Sequence, residues 1–116
     1  MIQGLAESNN VKKFFFGENS LKKFSKTDIL RKSKKRIFLL DRYFKNKKNY
    51  LKKDIIKKAD LVIYIDSSIE PTDVLIDNLI LKIKKKNFYN SNLVVAFGGG
   101  STLDTGKAVS NLLRNT

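Results

Sequence analysis

The sequence of 116 residues contains neither cysteine nor histidine. Without cysteine there is no disulfide framework and no thiolate chemistry, a composition typical of a reducing cytoplasm. Without histidine the chain lacks the commonest general base and the commonest metal ligand, so any metal site within it would need carboxylates alone. The sequence therefore predicts a cytoplasmic protein. Neither a cysteine nor a histidine can serve as a metal ligand or a catalytic group within these 116 residues.

Long hydrophobic runs are also missing. No apolar segment approaches the length that crosses a bilayer, and the polar start, residues 1–10, has no apolar core of a secretory signal. With 41% hydrophobic and 30% charged residues, the chain has the composition of one domain with a buried core. These features argue against a membrane partner.

The charge is unbalanced, with 24 basic and 11 acidic residues and a net charge of +13. Such a charge favours a polyanionic partner. However, only four of the basic residues are arginine, the side chain that reads phosphates and bases in bidentate geometry, and the lysines are spread along the chain. We interpret the excess as compositional drift in an AT-rich genome and expect no nucleic-acid partner, with a basic nucleic-acid-binding module kept as an alternative.

Three continuous apolar runs predict buried strands, each preceded by polar residues: 36–40 (RIFLL), 61–65 (LVIYI) and 93–97 (LVVAF). A shorter aromatic strand is predicted over 13–16, and helical periodicity is predicted over 20–30, 54–59, 71–86 and 101–113, with Pro71 in a first helical turn. Alternating strands and helices indicate an α/β fold with a parallel sheet and flanking helices. Right-handed crossovers would then place Asp41, Asp66 and Gly98 along one edge, where ligands of such sheets bind.

The segment after the third buried strand, FGGGSTLDTGK (97–107), carries the strongest chemical signal. Consecutive glycines let a backbone approach a ligand closely, and the N-terminus of the following helix attracts a phosphate. We expect Ser101 to cap this helix and to donate its hydroxyl. The spacing matches neither the GxGxxG dinucleotide fingerprint nor the P-loop. An alternative without any ligand is a capping box formed by Ser101 and Asp104 around a tight turn.

The complete string, FGGGSTLDTGKAVSNLL, resembles the GGGSxxDxxKA signature of iron-containing alcohol dehydrogenases. FFFGENSLKKF, RIFLLDRYF and IDSSIEPTDVLID resemble, in the same order, the family's opening strand and helix, its first nucleotide-fold strand and its EPT loop. Within the family, the chain looks most like the 3-deoxy-octulosonate 8-oxidases. The resemblance implies a Rossmann-like NAD(P)-binding domain of dehydroquinate synthase-like fold, truncated here to residues 1–116.

The resemblance also assigns residues. It implies that pyrophosphate is bound by the glycine loop and the residue after it, Gly98, Gly99, Gly100 and Ser101. Asp41 matches the aspartate that contacts the adenosine ribose, and a carboxylate there favours NAD over NADP; an ordinary strand-end aspartate is the alternative. Asp104 and Lys107 match motif positions near the cofactor, with a surface ion pair as the alternative. Gly106 departs from the alanine usual in relatives.

The resemblance implies that the family's metal, expected to be iron, is held by an aspartate and histidines of a C-terminal helical domain, which we expect to lie outside these 116 residues. The implied reaction is hydride transfer between an alcohol, such as a sugar acid, and NAD(P), and the family admits a homodimer. We expect no catalytic residue within the chain and no activity from it alone. Alternatives are a glycerol dehydrogenase or dehydroquinate synthase relative, and an inactive fragment.

Overall fold

In the computed structural model, the described residues are 4–6, 14–16, 30, 32–46, 55–91 and 93–114. Strands β1 (Gly4–Ala6) and β2 (Phe14–Phe16) form an antiparallel pair in which Gly4 lies opposite Phe16. The sequence predicts β2 but not β1, because GLA is too short to show a periodic pattern. The helix predicted over 20–30 lies outside the described residues, apart from Leu30, which is helical.

A second sheet has three parallel strands in the order β4-β3-β5. The central strand β3 (Arg36–Asp41) pairs with β4 (Leu61–Ile65) on one side and with β5 (Leu93–Phe97) on the other. All three coincide with the predicted apolar runs, because strands covered on both faces need apolar side chains at every position. The predicted α/β class with a parallel, Rossmann-like sheet is confirmed.

Two helices cover one face of this sheet. Helix α1 (Asp73–Lys85) connects β4 to β5, and helix α2 (Gly100–Arg114) follows β5. Their buried side chains join those of the strands in one apolar cluster, whose buried members are Ile37, Leu39, Ile63, Ile65, Ile80, Ile83 and Val109. Both predicted helices are thus present, and they lie on the same face of the sheet. Their amphipathic spacing alone does not predict which face each helix covers.

Helix α1 begins two residues later than predicted. Thr72 is its N-cap, and the Thr72 hydroxyl accepts a hydrogen bond from the Leu75 amide at 3.2 Å. Pro71 therefore precedes the helix, and its expected place in the first turn is wrong because threonine is the stronger capping residue. At the other end Asn87 has a positive φ of 64° and stops the helix, as predicted.

The opposite face of the sheet is covered by other segments. Phe38 and Leu40 of β3 pack there with Leu30 and Ile55, which lie in the segments before and after that strand. The predicted helix over 54–59 is not seen from residue 56 onward; these residues form a turn closed by the Asp60 amide and the Lys57 carbonyl at 3.1 Å. The Asp60 carboxylate accepts from the Lys57 amide at 2.7 Å, which favours the turn over the helix.

Arg36 joins these segments at the amino edge of the sheet. Its Nη1 donates to the Leu30 carbonyl and its Nη2 to the Ile55 carbonyl, both at 3.0 Å. The same guanidinium forms a two-pronged ion pair with Asp60, in which Nε lies 2.9 Å from Oδ1. The Arg36 and Asp60 side chains are only 8% and 4% exposed, so this is a buried and well-bonded pair.

Helix α2 approaches β5 closely through Gly106. A Cβ added at Gly106 would lie 2.5 Å from the Cβ of Ala96 in β5. Even alanine, usual at this position in the resembled family, would need the helix to move outward. Close packing of helix on strand therefore explains this glycine.

The strand order defines where the sheet can bind a ligand. The chain leaves β3 towards β4 on one side and then returns through α1 to β5 on the other side. Ligands of open parallel sheets bind where such connections diverge, in the crevice at the carboxyl ends of the two strands. Here that crevice lies between the ends of β3 and β5. Within the described residues, no helix is long and apolar enough to span a membrane.

Candidate functional site

The carboxyl edge brings together the predicted site residues. Asp41 lies opposite Ile65, and Leu40 lies opposite Phe97, so the three strands end side by side. The expectation that Asp41, Asp66 and Gly98 share one edge is confirmed. Parallel pairing with equal registers is the physical reason, since it aligns the residue after each strand with its neighbours.

Gly98 forms the turn at the end of β5 and has a φ of +155°. A Cβ at this position would meet the Asp41 Cβ at 2.9 Å and the Thr102 Oγ1 at 3.0 Å. Both the backbone conformation and the available space therefore require glycine. This turn packs directly against the end of β3 and the first turn of α2.

Gly99 and Gly100 differ from Gly98, although the sequence shows three identical residues. Apart from the adjoining residues and the nearby backbone of α2 itself, no atom of the described residues lies within 4 Å of a Cβ built at either position. Both residues are exposed, and neither needs to be glycine for internal packing. The open space above them is where a ligand can approach the backbone.

The first turn of α2 presents amide groups to this space. The helix begins at Gly100, and its first backbone hydrogen bond runs from the Leu103 amide to the Gly99 carbonyl at 3.0 Å. The amides of residues 100–102 therefore have no partner one turn earlier within the helix. Together with the helix dipole, such amides favour an anion.

Ser101 does not cap the helix, contrary to expectation, because the helix has already begun at Gly100. Its hydroxyl donates instead to the Ile69 carbonyl at 3.1 Å. The alternative of a capping box with Asp104 is wrong for the same reason. The bond to Ile69 ties the glycine turn to the loop after β4, which places that loop beside the crevice.

Thr102 is a feature that sequence reasoning missed. Its side chain is fully buried, and its Oγ1 has no hydrogen-bond partner among the described residues. One turn later, Thr105 is equally buried, but its Oγ1 donates to the Ser101 carbonyl at 2.8 Å. A buried hydroxyl without a partner costs about 1–3 kcal/mol, and here it lies directly beneath the Gly98 turn. No periodic or motif signal distinguishes Thr102 from Thr105.

Asp41 is held firmly at the end of β3. One carboxylate oxygen accepts from the Tyr43 amide at 3.0 Å, and the other accepts from the Ser67 hydroxyl at 2.7 Å. The first bond caps a short 3-10 helix over Arg42–Phe44. This is the role expected of Asp41 under the alternative that it is an ordinary aspartate at a strand end. Each oxygen retains a second lone pair, and the side chain is half-buried, so the carboxylate can still accept hydrogen bonds from a ligand.

Asp66, at the end of β4, organises the loop that follows it. One of its carboxylate oxygens accepts from the Ser68 hydroxyl at 2.6 Å and from the Ser68 amide at 3.1 Å. These two bonds, with a smaller contribution from the Arg42 guanidinium, lower the pKa of Asp66 below its ordinary value of 3.8. The sequence assigns no ligand role to Asp66, and this turn explains its presence.

Asp104 and Lys107 are both exposed on α2, beyond its first turn. Their predicted places near the cofactor stay predictions. Among the described residues, no three acidic side chains come together in a group that could hold a metal ion. With no histidine or cysteine in the sequence, the described residues do not fit the family's metal.

Comparison with known families agrees with this geometry. The model of the iron-containing alcohol dehydrogenase family matches residues 11–116, which is most of the chain. The match includes all three parallel strands, the glycine turn and both helices. The resemblance seen in the motif strings is thereby confirmed, and the chain is an alcohol dehydrogenase-type oxidoreductase sequence. This protein belongs to the iron-containing alcohol dehydrogenase family.

Proposed function

We propose that this chain binds the adenosine diphosphate half of a nicotinamide dinucleotide, with NAD preferred over NADP. The observation that carries the proposal is the open backbone at Gly99 and Gly100, where α2 begins and its first amides have no partner within the helix. Exposed glycines on which no described side chain packs, at the carboxyl edge of a parallel sheet, suit a ligand that approaches the main chain closely. A pyrophosphate fits this position because amides and the helix dipole favour negative charge.

Two further features support the fit. The buried Thr102 hydroxyl, just beneath the turn, has no partner in the described part of the chain, and a bound ligand or an ordered water is a common partner of such an atom. Asp41 lies at the end of the neighbouring strand, and each of its carboxylate oxygens accepts only one hydrogen bond from the described residues, so each has a lone pair available. Its carboxylate would accept hydrogen bonds from the ribose hydroxyls and would repel a 2′-phosphate, which is the basis for preferring NAD.

The reaction we propose is hydride transfer between an alcohol and the nicotinamide, in which the bound dinucleotide supplies the hydride acceptor. A sugar acid is our candidate for the alcohol, from the likeness to the 3-deoxy-octulosonate 8-oxidases. The described residues contribute binding and orientation of the cofactor. Because they do not fit a metal, the ligands of the family's metal and the substrate pocket are proposed to lie in a C-terminal domain beyond this chain.

The test is a titration of the purified chain with NADH, followed by its fluorescence and by thermal unfolding. We expect saturable binding that is weakened at least about tenfold by Gly99→Asp, because a carboxylate would be placed against the pyrophosphate. The matched control is Asn78→Asp, which adds the same charge at an exposed position of α1. Gly99→Ala separates sterics from charge, since it meets no atom of the described chain.

A folded chain that gives no saturable signal would contradict the proposal. The same samples, titrated with a single-stranded oligonucleotide at two salt concentrations, test the alternative of a basic binding module. That alternative predicts binding that falls steeply with salt and is indifferent to Gly99→Asp.

A further inference from the structure

An arginine stands immediately after Asp41 but is directed towards another aspartate. Arg42 Nη2 lies 3.4 Å from Asp66 Oδ2, and the two side chains are 65% and 29% exposed. The Asp66 carboxylate is itself fixed through its other oxygen by the two hydrogen bonds from Ser68. Arg42 is therefore paired with a rigid and permanently charged partner at neutral pH.

This arrangement places three charges around the proposed ribose position. Asp41 is bound to Ser67, the residue after Asp66, so the loop carrying Asp66 lies against the end of β3. In dinucleotide sites, an arginine close to the ribose aspartate is the usual ligand of a 2′-phosphate, because its planar guanidinium binds phosphate in bidentate geometry. Arg42 has the sequence position and the exposure for that role.

We propose that Asp66 is a specificity-determining residue, which disfavours NADP by holding Arg42 as its counter-ion. This inference rests on the proposed function. Asp41 acts directly, by repelling a 2′-phosphate, whereas Asp66 acts through Arg42, by occupying the guanidinium that would otherwise bind that phosphate. Asp66 is thus a positioning residue. The Arg42 guanidinium is thus a potential ligand of a 2′-phosphate, but the Asp66 carboxylate is already paired with it.

The test compares the dissociation constants of NADPH and NADH for the full 116-residue chain and its variants. Asp66→Asn removes the charge but keeps an oxygen to accept from Ser68, so the loop is preserved. We expect the ratio of the NADPH constant to the NADH constant to fall about three- to tenfold, since an exposed ion pair is weak and easily redirected. Asp77→Asn, the same charge change at an exposed site on α1, should leave this ratio unchanged.

The double variant Arg42→Ala with Asp66→Asn separates the proposed mechanism from simple charge removal. If Arg42 binds the 2′-phosphate, the double variant returns to the high ratio of the unmodified chain. If the ratio stays low without Arg42, Asp66 acts only by general repulsion, and the inference is overturned.

The outcomes also separate this inference from the function on which it rests. Failure of the unmodified chain to bind NADH would overturn both. Normal NADH binding by every variant, with no change in the NADPH ratio for Asp66→Asn, would overturn this inference alone. A fluorescence titration with adenosine 2′-monophosphate, compared with adenosine 5′-monophosphate, gives an independent readout of the same subsite.

Discussion

The two edges of the parallel sheet are built in opposite ways. At the amino edge, the buried Arg36 guanidinium forms a two-pronged ion pair with Asp60 and donates to two backbone carbonyls. At the carboxyl edge, the Thr102 hydroxyl is buried with no partner among the described residues, and none of these residues covers the backbone at Gly99 and Gly100. One edge has its polar groups satisfied within the chain, and the other leaves polar groups available. The contrast fits an amino edge that contributes stability and supports the proposal that the carboxyl edge binds a ligand.

Charge follows the same division. Lysines precede all three parallel strands at the amino edge, at positions 34, 35, 57, 58 and 84–86. At the carboxyl edge, acidic side chains lie at the end of β3 (position 41) and after β4 (positions 66, 70 and 73), alongside Arg42 and Lys45. Residues spread evenly along the sequence are thus gathered by the parallel topology. An anionic cofactor at the carboxyl edge would depend on backbone amides more than on lysine side chains.

The largest expected effect is at the amino edge. Asp60→Ala leaves the Arg36 guanidinium buried without its carboxylate, and we expect a loss of about 3–5 kcal/mol in the free energy of unfolding. Urea unfolding measures this loss. Lys58→Ala, an exposed neighbour, should change stability by less than about 0.5 kcal/mol. If Asp60→Ala left the free energy of unfolding unchanged, the claim that the amino edge contributes stability would be wrong.

A pair of glycine variants sharpens the comparison within α2 and its turn. We expect Gly98→Ala and Gly106→Ala each to destabilise the chain by about 1–3 kcal/mol, through overpacking against Asp41 and Ala96 respectively. Only Gly98→Ala should also weaken NADH binding, because only Gly98 lies at the crevice. Thermal unfolding and NADH titration measure the two effects separately.

The control for the two glycine variants changes Ala96, the residue that a side chain at position 106 would overlap. Adding Ala96→Gly to Gly106→Ala removes the Cβ that lies 2.5 Å away and should restore much of the lost stability. Failure of this rescue would show that the close approach of α2 to β5 does not account for Gly106. Equal loss of NADH binding in both single variants would show that the turn has no special role.

The smallest effect concerns Thr102. Valine has nearly the same shape and no hydroxyl, so Thr102→Val should raise the free energy of unfolding by about 1 kcal/mol by removing an unsatisfied buried group. If the hydroxyl is used by the ligand or its bound water, the same variant should bind NADH more weakly. Thr105→Val, which removes a satisfied hydroxyl, should be destabilising instead. If Thr102→Val raised the stability and left NADH binding unchanged, the Thr102 hydroxyl would have no role in ligand binding.

Much of the fold could be predicted from the sequence alone. The strands β3, β4 and β5, the helices α1 and α2, and the shared edge of Asp41 and Gly98 follow from apolar runs, helical periodicity and the handedness of crossovers. Apolar runs and helical periodicity are local patterns, and the right-handed crossover is a general rule that then orders the strands. Helix ends were less predictable: Pro71 precedes its helix, and residues 56–60 form a turn because the Asp60 carboxylate binds the Lys57 amide.

The sequence by itself determined the class of fold and the family, because the glycine string and the apolar strands are contiguous; it also singled out the segment for which we propose cofactor binding. Only the tertiary structure decided which glycine does what. Gly98 and Gly106 are needed for packing, whereas Gly99 and Gly100 leave open space. It alone also brought Arg42 to Asp66 and buried the Thr102 hydroxyl where no other described residue bonds it. Such pairings depend on residues distant in sequence, so no local pattern encodes them.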